Sequence, residues 1–277
     1  MKTLLESCAA AKAASTAVAR LTTEQKNAAL LAMADALEAE CASVLAASKA
    51  DMDRERANGM SEDMLDRLML NEKRVADMAL GLRQVAELPD PVGEVLKDWT
   101  RPNGLRIKKV RVPMGVIGII YEARPNVTVD AASLAFKAGS AILLRGSGSA
   151  YESNAALVEV MRKALAALGI TPDAVCLVEE KGHDVVDNML RAREYIDLIV
   201  PRGSARLINS AVEKATVPIL QTGTGNCHVY IDESADYAMA EAITVNAKTQ
   251  RTSVCNCAET LIMQESWAGK HGEALLR

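Results

Sequence analysis

Val112-Pro113-Met114-Gly115-Val116-Ile117-Gly118-Ile119-Ile120-Tyr121 is the stretch on which the fold turns. It is apolar throughout, the pattern of a strand covered on both faces. Downstream, Ala141-Ile142-Leu143-Leu144, Ala174-Val175-Cys176-Leu177-Val178, Ile196-Asp197-Leu198-Ile199-Val200 and Val217-Pro218-Ile219-Leu220 are further short β-rich runs. Helical patterns separate them: Asp130 to Lys137, Ser153 to Leu168, His183 to Ala192 and Ser204 to Lys214. Strands alternating with helices predict a parallel, doubly wound α/β sheet with helices on both faces. Ligands of such sheets lie beyond the carboxyl ends of the strands.

Upstream the chain changes character. Thr22 and Gln25 stand at capping-box spacing, and Leu30, Leu31, Met33, Leu37 and Val44 continue as one long amphipathic helix. Ser61 opens another, carrying Met64, Leu65, Leu68, Val75 and Leu82, and Pro89-Asp90-Pro91 ends the helical region. About residues 92–112, Asn103-Gly104 is a hairpin turn signal between two alternating segments, which predicts a two-sided ribbon projecting from the body.

The 277 residues are enough for one large domain or two smaller ones. Aromatic residues make up 3% of the chain, so its core is aliphatic and it lacks the stacking platforms of single-strand binders. A formal net charge of -4 leaves no basic footprint for nucleic acid. No apolar run suits a membrane span, and the N-terminus does not read as a signal peptide. Six cysteines in a chain this long do not make a disulfide framework, so a reducing cytoplasm is expected.

Two strand–turn–helix junctions carry glycine and arginine: Arg145-Gly146-Ser147-Gly148-Ser149 and Pro201-Arg202-Gly203-Ser204. Backbone N–H groups at a helix start, with arginine beside them, suit a phosphorylated cofactor. Neither is a G-x-G-x-x-G sequence, and ordinary βα turns would look the same. Cys8, Cys41 and Cys176 lie in apolar patterns and read as small core residues, as does Cys227 before a strand. Cys255 stands in a polar, cationic loop, Lys248-Thr249-Gln250-Arg251-Thr252-Ser253-Val254-Cys255-Asn256-Cys257, where nearby positive charge favours the nucleophilic thiolate. Cys-x-Cys is a poor zinc spacing and the three histidines are scattered, so no metal is expected.

The segments Val112 to Thr128, Leu134 to Ala141 and Leu144-Arg145-Gly146, together with Ala247 to Asn256, closely resemble the γ-glutamyl phosphate reductase family of the aldehyde dehydrogenase superfamily. The resemblance runs along essentially the whole chain. It implies an aldehyde-dehydrogenase-like, NADP-binding domain over residues 1–220 and the N-terminal part of an α/β catalytic domain over 221–277. The implied reaction is NADPH-dependent reduction of L-glutamate 5-phosphate to L-glutamate 5-semialdehyde, a step of proline biosynthesis. Cys255 falls on the family's nucleophile, and Asn126 falls where the superfamily places an oxyanion amide; by its own pattern Asn126 also fits a turn cap. Gly203 and Ser204 match the Gly-Ser turn near the cofactor pyrophosphate. Arg145, beside Gly146 and Ser147, replaces the superfamily's usual lysine and suits an adenosine 2′-phosphate. Gly148 stands where NAD-preferring relatives often carry a carboxylate. Arg124, Lys137 and Arg251 are the candidate cations for the substrate phosphate, with a surface or core-packing role an equal reading for Lys137.

Gln221 departs from the superfamily: it aligns with the glutamate that activates water in hydrolytic members. A neutral amide cannot do so, which fits a thioester resolved by reduction. A CoA-acylating aldehyde dehydrogenase also lacks that base, but Glu122-Ala123-Arg124-Pro125-Asn126 disfavours it. The chain is shorter than the family's usual length. The resemblance therefore implies that the rest of the catalytic domain and a C-terminal oligomer strand are absent, and an inactive cofactor-binding fragment is the other expectation. At full length it implies a homo-oligomer, with glutamate 5-kinase as a partner.

Overall fold

The computed structural model describes residues 2–276 except 181, 222, 224 and 253. The chain divides into two compact units, Met1–Thr222 and Gly223–Arg277. In the first unit, α1 (Leu4–Val18), α2 (Thr23–Ala39), α3 (Cys41–Ala57), α4 (Glu62–Leu68) and α5 (Glu72–Glu87) precede an antiparallel ribbon, β1 (Val95–Thr100) and β2 (Arg106–Val110). Then follow β3 (Val116–Tyr121), α6 (Asn126–Lys137), β4 (Ala141–Arg145), α7 (Tyr151–Ala167), β5 (Val175–Leu177), α8 (His183–Arg191), β6 (Leu198–Arg202) and α9 (Ala205–Lys214).

The four strands from β3 to β6 form one parallel sheet in the order β5-β4-β3-β6. The strand order reverses between β3 and β6, which makes their carboxyl ends the switch point. Side chains alternate across the sheet. Ile119, Tyr121, Ile142 and Leu144 join the α2, α3, α5, α6 and α7 side, while Val116, Ile120, Ala141 and Leu143 join α1, α8 and α9. Both faces are buried, which is why the sequence shows continuous apolar runs.

Several boundaries differ from those expected. The long helix after Thr22 breaks at Glu40, whose backbone (φ -94°, ψ 14°) ends α2 and starts α3. The helix after Ser61 breaks at Met69, and Asn71 restarts it by accepting the Arg74 N–H at 2.8 Å. The run from Val112 is strand only from Val116. Gly115 turns in with φ +102°, and a Cβ there would stand 2.2 Å from Asp197 Oδ2. That carboxylate accepts the Val116 N–H at 2.8 Å and pairs with Lys12 at 2.9 Å, fixing where β3 begins. Pro201 and Arg202 belong to β6 rather than following it.

Val217-Pro218-Ile219-Leu220 contributes only a one-residue parallel bridge, Ile199 to Ile219. Ile199 donates to the Pro218 carbonyl and Leu220 donates back to Ile199. The next rung would need an N–H from Pro201, which proline lacks. The ribbon turns through Arg101–Leu105, with Gly104 at φ +85°, so the loop is longer than a two-residue turn.

In the second unit β7 (Cys227–Ile231) and β8 (Ala258–Met263) are parallel, connected by α10 (Tyr237–Thr249). Ile231, Ala240 and Trp267 are its core, and the Trp267 indole donates to the Ala235 carbonyl at 2.9 Å. Among the described residues no helix is long and apolar enough to cross a membrane.

One buried ion pair ties the helical region to the ribbon. Lys26, fully buried on α2, meets Asp90 at 2.5 Å. Asp90 also accepts from Thr23 at 2.8 Å and from the Val92 N–H at 3.0 Å. Burial opposes its charge, but the hydrogen bonds from Lys26, Val92 and Thr23 outweigh that and hold its carboxyl below the usual range. Asp90→Asn leaves the Lys26 charge without its counter-ion and is expected to cost about 3 kcal/mol at pH 7. Because the folded-state pKa is depressed, the pair stabilises the protein above the unfolded value of about 3.9 and fades as pH falls through the folded value. Urea titrations should show the gap between wild type and variant closing below about pH 4; a gap constant from pH 7 to pH 3 would remove the ion pair as its cause.

Candidate active site

In the first unit, the candidate site gathers at the carboxyl ends of β3, β4 and β6. Tyr121, the last residue of β3, is buried; its hydroxyl lies 2.6 Å from the Thr128 hydroxyl, which donates to the Asn154 carbonyl oxygen at 2.9 Å. Burial pushes the Tyr121 phenol well above its usual pKa, so it stays neutral. This chain links β3, the first turn of α6 and the first turn of α7. A Cβ on Gly146 would stand 2.2 Å from the Asn154 side-chain nitrogen and 3.1 Å from the Tyr121 ring, so only glycine fits after β4.

Asn126 is the first residue of α6. Pro125 is the cap, and the Asn126 side chain makes no cap hydrogen bond. Its amide nitrogen donates to Asp130 Oδ2 at 3.1 Å and the residue is exposed. Arg124, half-buried two residues earlier, has no hydrogen bond or ion pair from its guanidinium among the described residues.

Lys137 is elsewhere. It ends α6, at the opposite end of that helix from Asn126, and its ammonium donates to Asn27 at 2.5 Å and to the Ala86 carbonyl at 2.8 Å. It is buried, and burial lowers its pKa. The structure therefore makes it a pin between α6, α2 and α5, and does not bring it to the strand ends.

The two glycine junctions differ in a way the sequence did not show. At the first, Asp51 of α3 is fully buried and accepts from the Ser153 N–H at 2.8 Å, the Ser153 hydroxyl at 2.7 Å and the Glu152 N–H at 3.3 Å. It pairs with Arg54 at 2.6 Å, and Arg54 in turn donates to the carbonyls of Gly148 and Ser149 at 3.1 and 3.0 Å. The start of α7 is thus closed by the protein's own carboxylate, and the Ser147 to Ser149 turn is clamped from beneath. At the second junction Ser204 caps α9 by accepting the Leu207 N–H, and the Ser204 N–H goes to Glu122 Oε1 at 3.0 Å. A Cβ on Gly203 would stand 2.7 Å from the Glu122 carboxyl carbon.

Arg145 is half-buried at the end of β4. It donates to the carbonyls of Gly146 and, at 3.4 Å, Gly182, and its Nε is buried with no partner. No carboxylate pairs with it among the described residues, and burial lowers its pKa. A partly desolvated guanidinium with an orphaned donor and no counter-ion fits an anion such as a phosphate.

In the second unit Cys255 is exposed at a turn closed by Cys257 N–H to Val254 carbonyl at 3.2 Å. Cys257 is buried and its thiol donates to the Lys248 carbonyl at 3.3 Å, at the end of α10. Cys227 points its thiol at the Cys255 carbonyl, 3.3 Å away. Arg251 is exposed in the same loop. Gln221 is exposed at the end of the first unit. Asp51, Arg54, Glu122 and Asp130 escaped the sequence reading; the only local signal was Asp130, four residues after Asn126 and so on its side of a helix.

Residues 2–277 match the model of the aldehyde dehydrogenase family. The chain is 55% identical over 258 residues to the gamma-glutamyl phosphate reductase of Moorella thermoacetica, covering 93% of this chain and 62% of the relative. It is 52% identical to that of Geobacillus thermodenitrificans, covering 96% and 64%. The crystal structure of gamma-glutamyl phosphate reductase from Thermotoga maritima superposes with a TM-score of 0.90 at 43% identity, over 99% of this chain and 66% of that one. The chain thus spans somewhat under two thirds of the length of these relatives. Its parallel sheet with helices on both faces agrees with that likeness. The chain belongs to the aldehyde dehydrogenase family and is a homologue of its γ-glutamyl phosphate reductases.

Proposed function

We propose that residues 1–220 are the NADP-binding domain and residues 221–277 the start of the catalytic domain of a γ-glutamyl phosphate reductase. The reaction is reduction of L-glutamate 5-phosphate to L-glutamate 5-semialdehyde and phosphate, in proline biosynthesis. The relatives' name supports the reaction class. The observation that carries the chemistry is the contrast between the two neighbouring thiols: Cys255 is exposed on its turn, whereas Cys257 is buried and hydrogen-bonded.

In this reading the Cys255 thiolate attacks the acyl carbon, phosphate departs with the electron pair of the broken C–O bond, and the acyl group is left as a thioester on Sγ. NADPH, when bound, would supply a hydride to the thioester carbon; the C–S bond then breaks with its electron pair returning to Cys255 Sγ, which releases the aldehyde and regenerates the thiolate. The oxyanion of the acyl step is assigned to the Cys255 backbone N–H and the Asn126 amide, a donor of this kind being worth about 3 kcal/mol. An ionised carboxylate only accepts hydrogen bonds, so Asp130 holds the Asn126 nitrogen side toward itself and leaves the second N–H as a donor. Arg124 and Arg251 are assigned to the substrate phosphate. Arg145, with Gly146 and Ser147, is assigned to the adenosine 2′-phosphate, and Gly203 and Ser204 to the pyrophosphate. A Cβ on Gly148 would meet nothing within 4 Å, so a larger residue would fit there; glycine leaves that position without a charge to repel a 2′-phosphate. The neutral Gln221 supplies no base for hydrolysis. A cytoplasmic location, homo-oligomer assembly and glutamate 5-kinase as partner complete the reading.

Cys255→Ser should abolish reduction in a steady-state assay of the whole protein while NADPH affinity, followed by nicotinamide fluorescence, stays within twofold or so of wild type. Near-normal turnover would sink the nucleophile assignment; the same loss in Cys257→Ser with its fold intact would remove the distinction between the thiols.

Arg145→Met deletes the unpaired cation. It should weaken NADPH binding by roughly 10- to 100-fold, the worth of a charge-assisted hydrogen bond, and leave NADH binding nearly unchanged. Equal losses for both nucleotides in fluorescence titrations would place Arg145 in the loop's architecture instead.

A further inference from the structure

Each glycine junction ends in a helix whose first N–H groups are held by a protein carboxylate, and the two carboxylates could not be less alike. Asp51 is fully buried, has four donors around it and is paired with Arg54. Removing it would strand the buried Ser153 donors and leave the half-buried Arg54 without its nearest counter-ion, so no ligand exchanges with it. Glu122 is exposed, has one hydrogen bond to the Ser204 N–H, and makes no ion pair among the described residues. It lies across the α-carbon of Gly203, where a Cβ would strike its carboxyl group.

We propose that Glu122 is an internal competitor for the cofactor: its carboxylate holds the anion position at the start of α9, and a nucleotide phosphate gains the Ser204 N–H only by displacing it. The inference rests on the assignment of the pyrophosphate to Gly203 and Ser204. Its physical basis is simple. One N–H cannot serve a carboxylate and a phosphate oxygen at once, and two anions at contact repel. The displacement is feasible because Glu122 is already solvated and can turn into water without a desolvation penalty. Glu122 is therefore an affinity-setting residue that weakens nucleotide binding and holds the Ser204 N–H in the nucleotide's absence.

The test is NADPH binding to the 277-residue chain and its variants by fluorescence titration. Glu122→Gln keeps the length and removes the charge. It should bind NADPH about fivefold more tightly at low salt, the factor for a unit repulsion at contact in water, and the gain should shrink as salt screens it. Glu122→Asp keeps the charge and should not reproduce the gain. Unchanged or weaker binding by Glu122→Gln, with wild type binding normally, overturns the proposal and points to a carboxylate that accepts from the nucleotide. Tight binding by Glu122→Gln where wild type binds poorly supports it. Absence of NADPH binding in every form, with folding intact by circular dichroism, overturns the cofactor assignment and this inference with it.

Discussion

A parallel sheet delivers several helix starts to one edge, and every one of them exposes N–H groups that must find an acceptor. This constraint organises the first unit. Asp51 meets it at α7 by reaching across from α3, and in doing so it fixes α3 against the sheet layer and lets Arg54 hold the loop after β4. Ser204 and Glu122 meet it at α9. The α6 start is met differently: Pro125 has no N–H to satisfy, and the Val127 and Thr128 N–H groups donate to the Arg124 and Pro125 carbonyls at 3.0 Å, which leaves the Asn126 side-chain amide free of capping duty. The site is thus built from helix starts satisfied to different degrees.

The sheet was legible because β3 and β4 are buried on both faces, so burial wrote itself into a continuous apolar run. The caps at Thr22 and Asp51 show the two limits. Thr22 and Gln25 lie three residues apart and could be read directly. Asp51 and Ser153 are 102 residues apart, and Glu122 and Ser204 are 82 apart, so nothing local marks either carboxylate as a cap. The break at Glu40 was hidden for a related reason. No glycine or proline stands there, and the packing of both α2 and α3 on α7 is a long-range fact.

Lys137 illustrates how burial reassigns a cation. In sequence it ends a helical segment and reads equally as a candidate phosphate ligand or as a surface or core-packing residue. In the fold a helix that leaves the carboxyl edge of a parallel sheet must end at the other edge, so its last residue is as far from its first as the helix allows. The eleven steps from Asn126 to Lys137, at about 1.5 Å each, separate the two roles by roughly 16 Å along the α6 axis. Any residue at the end of a βαβ helix is excluded from the strand-end site on the same geometry.

The same edge explains why Arg145 and Arg54, both arginines near one glycine turn, have unlike chemistry. Arg54 is neutralised by Asp51 and Glu55, and the Nη2 that pairs with Asp51 also faces the carbonyls of Gly148 and Ser149. A charge so satisfied gains little from a further anion. Among the described residues Arg145 has only carbonyl partners and an orphaned Nε, in surroundings that penalise its charge. Its positive charge is retained at a cost that an incoming phosphate would offset. Anion affinity on this edge should therefore follow the lack of a counter-ion rather than the number of cations nearby, which sets Arg145 apart from Arg54 despite their shared loop.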